Sequence, residues 1–205
     1  MAIDRGYITL AEYKLYKSSA TTGTFDALLE DIIEAASRYI DSQTYRFFYN
    51  STGQTVYYTP EFSDILFTHD ITAITTLKTD EDGDGTFENT WTTGATGDYY
   101  LMPFNAGAFG NSGAYAYQWI EINPEGDYTF PKAFKGVQIV GDFGWKGAPA
   151  DIKMACTEIT NATYMRRSGQ NMTAVAEVTG AGVVLTPEDI PQSARKIINA
   201  YRKFL

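Results

Sequence analysis

The sequence predicts an α+β protein, in which a small bundle of about four helices from both chain ends carries a β-rich insert. Apolar residues repeat at helical spacing only near the two ends of the 205-residue chain. Short runs of β-branched and aromatic residues fill the middle, and Gly, Asp, Asn or Pro separates most of them. We therefore predict a helical frame from residues 1–50 and 145–205, and an insert from residues 51–144.

Two helices are predicted in the N-terminal part. Thr9 and Glu12 match a capping box, so a short helix is expected to begin there and to run to about Lys17. Thr24 is expected to cap the second helix. The apolar residues of that helix form one stripe, which is expected to face the core: Phe25, Leu28, Leu29, Ile32, Ile33, Ala36 and Ile40.

The insert is expected to contain half-buried strands. In the last of them Val137, Ile139 and Phe143 share one face. The Gly- and Ala-rich residues 103–113 are expected to form a mobile loop.

Two more helices are expected after the insert. Pro149 suits the first turn of a helix with an apolar stripe that includes Ile152 and Cys156. Residues 170–182 are small and polar, which predicts a flexible arm before the terminal helix.

The charge of the chain is unevenly distributed. The formal net charge is −9; residues 1–150 carry 20 acidic and 9 basic residues, whereas residues 151–205 carry 5 and 7. An acidic body disfavours wrapping of nucleic acid but is compatible with lining a channel through which DNA passes. Residues 1–6 lack the apolar core typical of a signal peptide, and no apolar run approaches the roughly 18 residues of a membrane span. We therefore expect synthesis in the cytoplasm and no membrane partner.

The terminal helix is the main candidate for function. It is amphipathic, and no acidic residue lies between Ile190 and Leu205. Its charge and apolar side suggest an element that docks on an acidic partner. A last core helix with a solvated basic side is the equally supported alternative. The candidate docking residues are Arg195, Lys196, Ile197, Ile198, Tyr201, Arg202, Lys203, Phe204 and Leu205.

One acidic motif indicates a possible metal site. Asp80, Asp82 and Asp84, followed by Gly85, match the start of a calcium-binding loop. The twelfth position is Trp91 instead of Glu, and Glu88 at the ninth does not obviously replace it. Because the flanking residues alternate as strands do, an acidic hairpin turn is favoured over calcium binding, and we expect no other cofactor.

Residues typical of catalysis are scarce. His69 lies beside Asp70, but a nucleophile in a suitable motif is missing. Cys156 is interpreted as a buried hydrophobic residue, so the chain is not expected to be an enzyme. Aromatic residues could form a sugar-binding platform, but packing in the core or at an interface is favoured. They are Tyr99, Tyr100, Tyr115, Tyr117 and Trp119.

Several motifs follow one another along the chain in an order that is similar to that of a known protein family. They comprise residues 9–13, residues 25–29 leading into 35–40, the acidic turn at 80–85 with residues 98–103, and the strand at 137–143 followed by Trp145 and residues 149–156. In this order they resemble the head–tail connector (head-completion adaptor) proteins of tailed bacteriophages.

The resemblance implies a structural virion protein, made in the cytoplasm of a bacterial host and located at the head–tail interface. Such a protein assembles as a ring, a dodecamer in the virion, beneath the portal protein. The ring extends the channel through which DNA passes without sequence-specific binding, and it receives the next neck or tail protein. The resemblance assigns portal docking to the segment from about Val183 to Leu205. The alternative is a phage structural protein whose insert binds calcium or carbohydrate.

Overall fold

The computed structural model describes residues 5–17, 23–94, 96–108, 115–167, 174–179, 182–187 and 190–203. The helices in these ranges are α1 (Leu10–Tyr16), α2 (Asp26–Thr44), α3 (Ala150–Arg167) and α4 (Gln192–Tyr201). The strands are β1 (Asn50–Tyr58), β2 (Ile65–Thr79), β3 (Asn89–Trp91), β4 (Tyr99–Met102), β5 (Tyr117–Ile122), β6 (Val137–Gly144), β7 (Ala174–Thr179) and β8 (Gly182–Pro187). Helices at both ends and strands in the middle confirm the predicted α+β class.

The chain divides into two compact units. The helical unit consists of Met1–Arg46 with Ala148–Leu205, and the β unit consists of Phe47–Gly147. None of the helices in the described ranges is long and apolar enough to cross a membrane.

The first two helices begin in different ways. At α1 the predicted capping box is present: the Thr9 N–H donates to Glu12 Oε2 at 2.6 Å, and the Glu12 N–H donates to Thr9 Oγ1 at 3.2 Å. At α2 the N-cap residue is Phe25, without a side-chain cap, so the prediction for Thr24 is wrong by one residue. The reason is a 3₁₀ turn at Gly23–Phe25, which runs directly into the helix.

The core of the helical unit is formed mainly by α2 and α3, which contact each other and α4, while α1 contacts α2. The predicted stripe of α2 is buried from Leu29 to Ile40, but Phe25 is 49% exposed. The residues that fill this core include Tyr13, Leu29, Ile33, Ala36, Ile40, Ile152, Ala155, Cys156 and Ile159.

An antiparallel sheet forms the β unit. Its strand order is β1-β6-β2-β5-β4, and β3 pairs with β2 outside this path. Val137, Ile139 and Phe143 of β6 are buried, which confirms that they share the core face. Trp91 stacks on Phe130 with 4.8 Å between ring centroids, and both rings are buried in the core of this unit.

The segment before α4 differs from its prediction. β7 and β8 pair with each other as an antiparallel hairpin and form a sheet of their own. A flexible arm was expected over residues 170–182, so the prediction is wrong where β7 lies; residues 170–173 and 180–181 lie outside the described residues. Five of the ten residues at positions 175–184 are the β-branched residues Val and Thr, which favour strands.

Candidate assembly surfaces

The terminal helix α4 is held within the helical unit by polar contacts at its C-terminal end. Arg46 Nε donates a hydrogen bond to the Tyr201 carbonyl oxygen at 2.7 Å, and the Lys203 N–H donates to the Thr44 carbonyl oxygen at 2.9 Å. The Tyr201 hydroxyl donates to the carboxylate of Asp151 at 2.9 Å. Burial, with a contribution from Asp151, raises the pKa of Tyr201 to about 12, so the phenol stays a donor at neutral pH.

The apolar side of α4 packs on its own subunit. Ala194 is fully buried and Ile198 is 4% exposed, because α2 and α3 provide the contacts. The expectation that this side is free for a partner is therefore wrong for Ile198, which is one of the predicted docking residues. Ile197 is half-buried, whereas Phe204 and Leu205 lie outside the described residues.

The basic side of α4, formed by Arg195, Lys196 and Arg202, is exposed. Within the described ranges, none of these three cations has a carboxylate oxygen within 4.0 Å. The Arg202 guanidinium lies 5.8 Å from the centroid of the Tyr45 ring, which is 53% exposed. The predicted docking residues thus separate into a structural set and an exposed cationic set.

The acidic motif forms the loop between β2 and β3, as the hairpin interpretation predicts. Asp80 shapes the loop, since its Oδ1 accepts the Gly83 N–H at 2.7 Å and its Oδ2 accepts the Gly85 N–H at 2.9 Å. Both glycines have positive φ, which disfavours other residues there. The Thr86 N–H lowers the pKa of Asp84 by a hydrogen bond to the carboxylate.

Four carboxylates meet at this loop. A set of four carboxylate oxygens lies within 4.8 Å of one another, one oxygen from each of Asp80, Asp82, Asp84 and Glu88. The sequence analysis did not count Glu88 as a metal ligand, because it occupies the ninth position of the motif and not the twelfth. The pairing of β2 with β3 explains why Glu88 joins the cluster. Thr79 pairs with Asn89, so the next residues outward, at 80 and 88, face each other. Oxygen ligands of this type suit calcium, and binding here stays a prediction.

The two candidate catalytic side chains, His69 and Cys156, have contacts that indicate a role in the structure and not in catalysis. His69 Nδ1 lies 3.0 Å from the Tyr58 hydroxyl, and burial raises the pKa of that tyrosine. Cys156 is buried, with its sulfur 3.5 Å from Ser37 Oγ, and burial raises the pKa of the thiol. A buried thiol with a raised pKa is a poor nucleophile.

The aromatic residues of the insert have two different locations. Tyr99 is buried against Trp91, so it contributes to the core and cannot stack on a sugar. On the opposite face of the sheet, Trp119 pairs across the strands with Phe67 on one side and Met102 on the other.

Phe62 contacts Phe67 edge to face, with 6.3 Å between the ring centroids. Phe62 is 50% and Phe67 is 63% exposed. We call the three aromatic residues Phe62, Phe67 and Trp119, together with the neighbouring Met102, the aromatic row. Sequence reasoning noticed Trp119 but missed the row, because Phe67, Met102 and Trp119 come from three strands that only the sheet register aligns.

The excess of acidic residues that gives the protein its net negative charge lies entirely in the β unit. Phe47–Gly147 contains 13 acidic and 4 basic residues, which gives −9, whereas the helical unit contains 12 of each. The strands of the aromatic row and their flanks, residues 61–70, 98–108 and 117–127, contain seven acidic residues and no Lys or Arg.

No profile of a known protein family and no curated protein matches this sequence. Solved structures do match. A chain from the neck of an empty gene transfer agent particle, computed with C6 symmetry, is 18% identical with a TM-score of 0.55, and the match covers 100% of this chain and 94% of that chain.

The corresponding match in the neck of the native particle, computed with C12 symmetry, is 16% identical with a TM-score of 0.53 and covers 100% and 93% of the two chains. A chain from the virion of the native particle is 17% identical with a TM-score of 0.55 and covers 100% and 94%. At these identities the likeness concerns the fold, and it extends over the whole chain.

Proposed function

We propose that this chain is a structural protein of the neck of a phage-like particle, where it forms a ring that connects the portal to the next neck or tail component. The observation that carries the proposal is the whole-chain likeness to chains from the neck of a gene transfer agent. The order of sequence motifs, which resembles head–tail connectors, supports the same location independently. The C12 and C6 symmetries of those neck structures support a ring, and we propose twelve copies in the particle.

The basic side of α4 is the docking element in this proposal. Its three exposed cations have no carboxylate partner within the described residues, so they suit an acidic partner. The resemblance to connectors suggests that the C-terminal segment from about Val183 to Leu205 docks on the portal. The acidic β unit suits a channel wall, because repulsion would keep passing DNA from binding. The role is structural and needs no catalytic residue.

Particles produced without this chain test the proposal. We expect filled heads that lack neck density below the portal and do not join tails, seen by electron microscopy. A labelled copy supplied in trans should restore joining and place the label at the neck. Normal joining without the chain, or a label on the capsid surface or the tail tip, would contradict the proposal.

A further inference from the structure

We infer that the aromatic row is the acceptor for the basic side of α4 from a second copy of this chain, so that one copy docks head to tail on the next. The inference rests on the proposed function and names the acidic partner of the docking helix. It assigns the exposed cations of α4 to the neighbouring subunit of the ring, and it leaves portal docking to the rest of the segment from about Val183 to Leu205.

The first argument is a partly exposed apolar area, in which Phe62 and Phe67 are exposed and Met102 and Trp119 are half-buried. Phe67, Trp119 and Met102 lie on three adjacent strands in register, on the face opposite to the buried Leu66 and Ile120. Phe62 precedes the first residue of β2, and its contact with Phe67 extends this area past the edge of the strand. Contiguous exposed aromatic side chains are typical of protein interfaces, where they provide most of the binding energy.

The second argument is the charge around this area. Glu61 and Asp64 are exposed on either side of Phe62. Glu121 is bound to the row directly, since its Oε1 accepts the Trp119 indole N–H at 2.7 Å. With no Lys or Arg in residues 61–70, 98–108 and 117–127, this surface favours a cationic partner and repels an acidic one.

The third argument is that the chain itself carries the complementary surface. Residues 190–205 contain four basic residues and no acidic residue. Arg195, Lys196 and Arg202 are exposed, and the Arg202 guanidinium lies over the exposed ring of Tyr45. An aromatic ring beside these cations gives this side an apolar anchor to set against the row.

The geometry of such a contact suits a ring. The two surfaces differ, so each copy uses one to bind the copy before it and the other to bind the copy after it. Contacts of this heterologous kind generate closed rings when the rotation between copies closes.

Charge reversal on each surface tests the inference by sedimentation velocity of the purified chain at low salt. Arg195→Glu with Lys196→Glu, and separately Glu61→Lys with Asp64→Lys, should each weaken self-association at least about tenfold. Mixing the two variants, or combining all four substitutions in one chain, should restore association because the charges are then complementary again. Raising the salt concentration should weaken the parent.

The apolar part of the contact has a matched control. Phe67→Ser should weaken self-association at least about tenfold, whereas Phe134→Ser, which replaces a phenylalanine that is 80% exposed in the same unit, should not. Unchanged unfolding midpoints would show that both variants are folded.

A disulfide trap gives a second readout. Phe67→Cys combined with Lys196→Cys should form covalent oligomers under oxidation, because the parent's single cysteine is buried. Each single variant should give dimers at most.

Two results would overturn the inference. One is a parent that stays monomeric at every soluble concentration, together with a Phe67→Cys, Lys196→Cys variant that forms no trapped oligomers. The other is reversal at Arg195 and Lys196 that leaves self-association intact but abolishes binding to portal-bearing heads, which would identify the portal as the acceptor. Both leave the neck location untouched, since that is tested by electron microscopy of particles.

Discussion

Arg46 Nε donates a hydrogen bond of 2.7 Å to the carbonyl oxygen of Tyr201, and this joins the residue after α2's C-cap to the last turn of α4. Carbonyl oxygens at the end of a helix lack partners within the helix and carry partial negative charge. A buried guanidinium at this position therefore satisfies one of them and fixes the end of α4.

Replacing Arg46 with Ala should lower the free energy of unfolding by about 1.5–3 kcal/mol, since a charged hydrogen bond is lost and the carbonyl is left without its donor. Urea unfolding followed by circular dichroism measures this. The control is Arg202→Ala, which removes an exposed guanidinium from the same end of α4 and should change the value by less than about 0.5 kcal/mol. Equal losses for both variants would show that Arg46 does not hold the helix.

Ile198 should behave as a core residue. Its side chain is 4% exposed, so Ile198→Ala should cost about 2–5 kcal/mol of stability through lost burial and the cavity left behind. Arg195→Ala on the exposed side should cost less than about 0.5 kcal/mol in the same urea titration. If Ile198→Ala is as mild as Arg195→Ala, the apolar side of α4 is not packed within the subunit.

Asp80 should stabilise the acidic loop without any metal. Asp80→Ala removes the acceptor of two backbone N–H groups, so we expect a loss of about 1–3 kcal/mol in unfolding experiments in chelator. Asp82→Ala is the control, because Asp82 is exposed and, within the described part of the chain, accepts only the Asp84 N–H at 3.2 Å. Similar losses would contradict this role.

Repeating the measurement with calcium chloride tests the metal prediction. A bound ion should raise the unfolding midpoint of the parent but not that of the Asp82→Ala, Asp84→Ala pair. Identical midpoints with calcium and with chelator would remove the calcium prediction.

Asp98 should make the β unit sensitive to acid. Burial alone would raise its pKa, but the N–H and hydroxyl of Thr92 and the Asp127 N–H donate to the carboxylate and hold the pKa below its usual value. A lowered folded-state pKa contributes stability above the unfolded value of about 3.9, and this contribution is lost as the pH falls further. The parent should therefore lose its advantage over Asp98→Asn between about pH 5 and pH 2. A constant difference across this range would exclude the linkage.

Asp41 in the helical unit should have the opposite pH dependence. Burial raises its pKa even though the Tyr7 hydroxyl and Arg38 both stabilise the ionised form. A raised folded-state pKa means that the charged carboxylate opposes folding, and that its protonation as the pH falls favours folding. Compared with Asp41→Asn, the parent should therefore gain stability on acidification. A relative loss would show that the ion pair with Arg38 dominates.

Features of the fold could be predicted from the sequence when the residues that determine them are close together in the chain. The stripe from Leu29 to Ile40 and the capping box at Thr9 predicted helices well, because periodicity and capping involve residues that are close in sequence. The terminal helix was harder, since amphipathicity alone cannot show whether Ile198 is covered by α2 and α3 or by another subunit.

Features that depend on strand register were missed. Glu88 joins the acidic cluster because β2 and β3 pair, and Phe67 joins Trp119 because β2 and β5 pair. The register of these pairs is set by the buried face of the whole sheet, which no short segment contains.

The position of the β unit in the chain has a consequence for the order of folding. The N–H of Trp145 donates to the Phe47 carbonyl oxygen at 3.1 Å, so the completed sheet ties the two ends of the β unit together. On the ribosome, α2 emerges long before its partner α3, and joining them through an unstructured loop of about 100 residues would cost on the order of 4 kcal/mol. Prior folding of the sheet removes most of this entropic cost, and it delivers the two halves of the helical core to each other as soon as α3 is synthesised.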